Sequence, residues 1–170
     1  MGVSGSPGSL RALRYAAEVA QLRYALLVPV IAWVPPGGDL ADRRSPSPYL
    51  RATWKEAAAT RLTESIDLAF GGPPDDVVMQ PAVLRGETGP VLVCAASEPG
   101  DLIVIGTGRR GPVERVIGSH VARYCLARAA CPVVAVPPAE LEQASRGFRG
   151  WAFRHRALTP DAALHAAGSR

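Results

Sequence analysis

Glycines and hydroxyl residues are concentrated in two stretches of the chain that could bind a phosphate group. The first is Gly106-Thr-Gly-Arg-Arg-Gly, directly after the apolar run Leu102–Ile105, and the second is the pair Gly118-Ser119. Glycines leave main-chain N–H groups unshielded, and a helix N-terminus adds about half a positive charge. N–H groups that converge in this way bind anions such as phosphate. The spacing therefore predicts a nucleotide-binding module.

Better-known phosphate loops fit these residues poorly. Gly106–Gly111 satisfies G-x-G-x-x-G after a strand, but the dinucleotide fingerprint needs an acidic residue about 20 positions on, and Leu126–Cys131 has none. No Gly-Lys-Ser/Thr triplet occurs, which excludes a Walker-type loop. The stretch Ser4–Ser9 is weakly similar to the loop of pyrophosphatase-type ATP enzymes but lacks its acidic residue. We therefore interpret it as a turn with a helix cap.

The other reactive side chains are not grouped for catalysis or metal binding. His120 has no adjacent nucleophile or carboxylate, and Glu87 and Glu114 have no partner carboxylate at a readable spacing. The three cysteines form no CxxC pair and no Cys/His cluster, so we expect reduced, buried thiols rather than a disulfide. We expect no catalytic residue, no metal ligand and at most slow hydrolysis of a bound nucleotide.

Composition excludes several classes of protein. The chain has 170 residues, of which 48% are hydrophobic, and a formal net charge of +4, which suits one folded domain. Its arginines are scattered and are not interleaved with aromatic residues, as nucleic-acid binding would require. The apolar stretch Ala25–Pro36 is too short to span a bilayer, and no signal peptide is evident. We expect a cytoplasmic protein that binds neither nucleic acid nor a membrane.

Strands alternate with helices along the chain. Apolar runs predict strands at Ala25–Val34, Val77–Leu84, Leu102–Ile105 and Val133–Val136. Helices are expected after a cap at Ser9, over Arg51–Phe70, over Thr88–Ala96 and from Gly118 to about Ala130, with a loop at Asp39–Pro48. This order predicts an α/β three-layer sandwich with a doubly wound parallel sheet, in which ligands bind at the carboxyl ends of the strands.

The two ends of the chain fit this scheme less well. Only Met1–Val3 is available for a first strand, so either translation begins upstream or this strand is a stub. Residues 139–170 are basic and lack a clear hydrophobic period until about Pro160–Ala167. We expect this tail to be mostly disordered, with room for one short helix.

Gly108 and Gly118-Ser119, in the segment DLIVIGTGRRGPVERVIGSHVARYCLARAACPVVAVPP, resemble the nucleotide loop of the universal stress protein family. The resemblance extends to GVSGSPGSLRALRYAAEVA, to VIAW and to RGETGPVLVCAASEPGDLIVIG, and covers about Met1 to Pro138. It implies a domain of residues 1–138 with a five-stranded parallel sheet of the adenine nucleotide alpha hydrolase-like type. It also implies a homodimer that pairs the last strand, Val133–Val136, because a valine-rich edge must be covered.

For a member of the ATP-binding branch, the resemblance implies a site for ATP, with Mg as an optional partner. The glycine loop and the Gly-Ser pair would contact the phosphates, the second strand would border adenine, and the first loop would lie near the ribose. The residues implied are Ser4, Ala32, Gly106, Gly108, Arg109, Gly118, Ser119 and His120.

Two features depart from the family pattern. Thr107 alone separates the first two glycines of the loop, where the family has two residues, and Ser4 stands at the acidic position. A serine can hydrogen-bond a sugar but cannot neutralise a cation. Arg109 or Arg110 could compensate as charge-assisted donors to the phosphates, although a solvated loop is an equally good interpretation.

The sequence thus predicts a protein that binds ATP or a related adenine nucleotide and acts as a homodimer in a stress or regulatory response. The first alternative is a dimeric interaction module of the same fold that binds no nucleotide. A pyrophosphatase-type ATP enzyme is disfavoured by the absence of the acidic residue at Ser4.

Overall fold

The computed structural model describes residues 1–72, 74, 76–107 and 120–137, all of them within the unit Met1–Ala139. Helices and strands alternate: α1 (Pro7–Arg23), β1 (Val30–Trp33), α2 (Gly38–Arg44), α3 (Pro48–Phe70), β2 (Ala82–Arg85), α4 (Thr88–Ala95), β3 (Ile103–Gly106), α5 (His120–Arg128) and β4 (Val133–Val136). No helix in these ranges is long and apolar enough to cross a membrane. The prediction for residues 139–170 lies outside the described residues.

All strand pairs in the described residues are parallel, as the sequence predicts. β1 pairs with β2, and β3 pairs with β4. The segment Met1–Val3 lies between the two pairs: the Val3 N–H donates to the Val30 carbonyl at 2.8 Å, and the Gly2 N–H donates to the Val104 carbonyl at 3.0 Å. Its strand pairing is a single bridge between Gly2 and Val30. In the described residues the first strand is therefore limited to this bridge.

Hydrophobic side chains cover both faces of the strands. Ile31 and Val104 pack with residues of α1 and α3, whereas Val30, Ile103 and Ile105 pack with residues of α4 and α5. Successive side chains of a strand point to opposite faces, so this division places one helical layer on each side. The result is the predicted arrangement of helix, strand and helix layers.

The second strand is shorter than its apolar run. A strand over Ala25–Val34 was predicted, but β1 has only four residues. The Leu27 N–H donates to the Val78 carbonyl at 2.9 Å, and the ladder would next need an N–H at position 29. Pro29 has none, so the ladder is interrupted and resumes only at Val30.

The predicted starts of two helices and one predicted loop are also wrong; α3 begins at Pro48 and not at Arg51. α1 begins at Pro7 with Ser6 as its N-cap, because the Ser6 hydroxyl accepts the Ser9 N–H and proline suits the first helical position. The predicted loop at Asp39–Pro48 contains α2, in which acidic Asp39 stands in the first turn and two arginines in the last. These charges complement the helix dipole and favour a short helix there.

Candidate functional site

The predicted site residues that the structure describes lie at or beside one edge of the strands. Ser4 follows Met1–Val3, Ala32 lies in β1 and Gly106 ends β3. The carboxyl ends of parallel strands meet at the same edge, and ligands of α/β proteins bind there. The structure therefore brings these three residues to the edge that the sequence predicts. His120 is the exposed first residue of α5.

The end of β3 touches the start of α1. A Cβ added to Gly106 would lie 2.5 Å from the Gly8 carbonyl carbon, 2.8 Å from the Ser9 nitrogen and closest of all to the Gly8 oxygen. Only glycine permits this approach of one backbone to another. The contact places the entry to the glycine loop beside the positive end of a 17-residue helix. That is the electrostatic setting of an anion site.

Three serines shape the turn that precedes α1. The Ser9 hydroxyl donates to the Ser6 carbonyl at 2.9 Å and accepts the Ser4 N–H at 3.3 Å. The Ser4 and Ser6 hydroxyls lie 3.0 Å apart. Ser9 is buried and used within the turn, whereas Ser4 is exposed. Of the three, Ser4 presents its hydroxyl to solvent at this edge, which suits hydrogen bonding to a sugar.

Thr107, the second residue of the glycine loop, is held by two hydrogen bonds. Its N–H donates to the Val136 carbonyl at 2.9 Å, and its hydroxyl donates to the same oxygen at 3.2 Å. Thr107 is thereby tied to the end of β4. The remaining predicted phosphate contacts lie outside the described residues: Gly108, Arg109, Gly118 and Ser119.

A charged cluster stands at the ends of β1 and β2. Trp33 and Arg85 are opposite each other in the strand register, and the Arg85 guanidinium lies 5.8 Å from the centre of the Trp33 ring. Arg85 also donates to Asp39 at 2.7 Å and to Asp42 at 2.8 Å. The Nε of Arg51 donates to both carboxylate oxygens of Asp42, at 2.8 and 2.9 Å.

The hydrogen bonds to Asp42 perturb its carboxyl group. The hydrogen bond from Arg51 has the largest effect and lowers the pKa of Asp42 below its usual value. Desolvation by burial acts in the opposite direction, and the hydrogen bond from Arg85 adds to the lowering. Sequence reasoning missed this cluster, since Asp39 and Asp42 were assigned to a loop. A pair of carboxylates three residues apart was the one local signal that could have indicated a helical face.

A cavity of about 280 Å³ lies at the opposite edge of the strands. It is lined by Met1, by Leu26–Val28, by Gly100–Val104 and by residues of α1 and α4, which are apolar apart from Arg23. The Met1 amine donates to the Val28 carbonyl at 2.9 Å. Desolvation by burial lowers the pKa of this amine from 8.0 to about 6, and nearby Cys131 and Cys125 oppose the shift. The cavity contains none of the predicted nucleotide contacts.

Side chains suited to metal binding are not clustered. Within the ranges that the structure describes, no group of three or more His, Cys, Asp or Glu residues could hold a metal ion. The three cysteines are free thiols; Cys125 and Cys131 are buried as predicted, whereas Cys94 is exposed. At the described part of the edge, the exposed hydroxyl of Ser4 can hydrogen-bond a ligand, and the positive end of α1 favours an anion.

Comparison with known proteins gives one family. The sequence profile described as "Universal stress protein family" matches residues 1–137. Among curated proteins, none matches the sequence of this chain.

Solved structures share the fold at low sequence identity. Universal stress protein UspA from Lactobacillus plantarum has a TM-score of 0.56 and 20% identity, over 79% of this chain and 93% of the other. A universal stress protein from Archaeoglobus fulgidus has a TM-score of 0.50 and 24% identity, over 79% and 94%. A universal stress protein in complex with cAMP has a TM-score of 0.50 and 23% identity, over 82% and 94%. These neighbours establish an α/β fold of the adenine nucleotide alpha hydrolase-like type.

Proposed function

Because the chain belongs to the universal stress protein family, we propose that it binds an adenine nucleotide, ATP in the first place, at the carboxyl edge of its strands. The observation that carries the proposal is the contact of Gly106 with Gly8 and Ser9. It joins the entry of the glycine loop to the N-terminus of α1, so that the positive end of a helix lies beside the proposed phosphate loop. The structure of a family neighbour in complex with cAMP supports the same class of ligand.

Different residues contact the adenine, the ribose and the phosphates of the nucleotide. Ala32 borders adenine, and the exposed Ser4 hydroxyl binds the ribose. The phosphates are bound by loop amides and by the start of α5: Gly106, Gly108, Arg109, Gly118, Ser119 and His120. Ser4 cannot neutralise a cation, so Mg²⁺ would enter bound to the phosphates rather than to a protein carboxylate.

The domain that binds nucleotide comprises residues 1–138, with a five-stranded parallel sheet in which Met1–Val3 is the central strand. The two hydrogen bonds from this segment to β1 and β3 support that order. We assign no catalytic residue and no role to the basic tail 139–170. The protein would act in the cytoplasm as a homodimer in a stress or regulatory response.

Nucleotide binding is tested by calorimetric titration of the full chain with MgATP and with cAMP. We expect saturable binding with one nucleotide per chain. Gly118→Val should weaken it on the order of 100-fold, equivalent to about 2.7 kcal/mol, because a branched side chain would occupy the phosphate position. Gly100→Ala is the control, since a Cβ at Gly100 meets no atom within 4 Å. Absence of binding by the wild type at millimolar nucleotide would favour the interaction module.

The homodimer is tested at the outer side of β4. The Ile103 N–H donates to the Pro132 carbonyl and the Thr107 N–H donates to the Val136 carbonyl, at 3.0 and 2.9 Å. Alternate residues of a parallel strand hydrogen-bond on opposite sides, so the amide of exposed Ala135 faces away from β3.

Ala135→Pro removes that outward donor and keeps the bonds to β3. We expect the variant to sediment as a monomer with almost unchanged thermal stability, whereas Ala135→Val remains a dimer. The measurement is analytical ultracentrifugation at micromolar concentration. A dimeric Ala135→Pro protein would show that subunits associate through another surface.

A further inference from the structure

The helix α2 is held to the rest of the protein by charge rather than by apolar packing. Of its seven residues, only Asp42 is buried. Its leucine, Leu40, is 72% exposed. A short helix without a hydrophobic face has little intrinsic stability, so its position depends on specific bonds.

Those bonds converge on the Asp42 carboxylate, whose side chain is 3% exposed. Arg51, from α3, donates to both of its oxygens, and Arg85, from the end of β2, donates to one of them. Arg85 is shared with the exposed carboxylate of Asp39. A buried charge that loses its partners is strongly destabilising, whereas an exposed ion pair contributes little. Asp42 therefore fixes α2, and Asp39 is secondary.

The backbone on the N-terminal side of α2 has the conformation of a turn. Gly37 and Gly38 have φ values of 83° and 77°, in the region that glycine adopts readily. The turn follows the end of β1 after a short connection, with the Gly38 N–H donating to the Pro35 carbonyl at 2.8 Å, and Arg85, which ends β2, bonds to α2, so α2 lies at the carboxyl ends of this strand pair. Ala32 is in the same strand, one residue before Trp33.

We propose that α2 is a strap, latched by Asp42, that closes the β1–β2 end of the nucleotide site. This rests on the proposed function and adds a positioning residue to it. Asp42 does not contact the nucleotide; it holds α2, through Arg51 and Arg85, where the strap limits access to the adenine side.

The latch itself is tested without nucleotide. Asp42→Asn keeps the shape of the side chain and removes its charge, and Asp39→Asn is the matched control on the same arginine. Trypsin cleavage after Arg43 and Arg44 is followed by mass spectrometry under native conditions. We expect Asp42→Asn to be cleaved there roughly tenfold faster than the wild type, with Asp39→Asn within about twofold of it. Equal rates for Asp42→Asn and wild type would overturn the proposal.

A second variant distinguishes local release of α2 from misfolding of the Asp42→Asn protein. Arg51→Gln removes the partner on α3 from a half-exposed position, and we expect faster cleavage at the same two sites. Cleavage that increases across all helices, instead of at α2, would mean a general loss of structure and would count against a local latch.

The link to binding is tested by the affinity for MgATP. We expect Asp42→Asn to weaken binding several-fold, Asp42→Glu to restore part of the loss, and Asp39→Asn to bind as the wild type does. Faster cleavage with unchanged affinity would overturn the role in the site. If the wild type bound no nucleotide, the proposed function would fail, and with it this role, whereas the cleavage rates would still decide whether the latch exists.

Discussion

Gly106→Ala is expected to destabilise the protein by about 3 kcal/mol, near the upper end of the cost of overpacking. The added Cβ would lie 2.5 Å from the Gly8 carbonyl carbon and 2.8 Å from the Ser9 nitrogen. Both are backbone atoms, at the start of a helix whose Ala12 and Leu13 are fully buried. A flexible side chain could move aside, but here β3 and α1 must separate.

The measurement is equilibrium unfolding in urea, with Gly100→Ala as the control. A Cβ at Gly100 meets nothing within 4 Å, and no positive φ has to be maintained there. We expect that control to change stability by less than about 0.5 kcal/mol, as for a surface substitution. Equal midpoints for the two variants would mean that the contact between β3 and α1 is not as close as described, and the geometry of the anion site would be lost with it.

Raising the pH from 6 to 8 is expected to increase the free energy of unfolding by about 2 kcal/mol in protein that retains Met1. Burial lowers the pKa of its amine from 8.0 to about 6. Between these values the unfolded chain binds a proton that the folded chain does not, so stability rises with pH. Each pKa unit is worth about 1.4 kcal/mol. The cost of protonation is absent well above pH 8 and complete only well below pH 6.

This prediction has a chemical control. Acetylation of the Met1 nitrogen removes the titrating group and keeps an N–H that can donate to the Val28 carbonyl, so the slope between pH 6 and 8 should disappear. Retention of Met1 is verified by mass spectrometry before urea unfolding at each pH. An acetylated protein with the same slope as the free amine would assign the pH dependence to another group.

The parallel α/β arrangement could be predicted from sequence because its signals are local. The run before Gly106 and the run after Pro132 are apolar and bounded by glycine or proline, and β3 and β4 follow them to within one residue. An apolar run overestimates the length of β1, because hydrophobicity carries no information about the missing N–H of Pro29. Apolar pattern locates a strand, but hydrogen-bond donors decide its length.

The cluster around Asp42 could not be predicted in this way. Its partners Arg51 and Arg85 are 9 and 43 positions away in sequence, and only the fold brings them together. The position of Gly106 in a glycine loop predicts that it contacts a phosphate group. Its contact with Gly8 is a second reason for glycine there, and no local pattern contains it.

The most direct test of the account is to map MgATP binding on the main-chain amides by ¹⁵N NMR. If the nucleotide lies at the carboxyl edge, the amide signals of Gly8, Gly106 and Thr107 shift on titration and saturate together. Those of Val28 and Leu102, at the opposite cavity, stay in place. Saturable shifts confined to Val28 and Leu102, or no shifts at millimolar MgATP, would contradict the account.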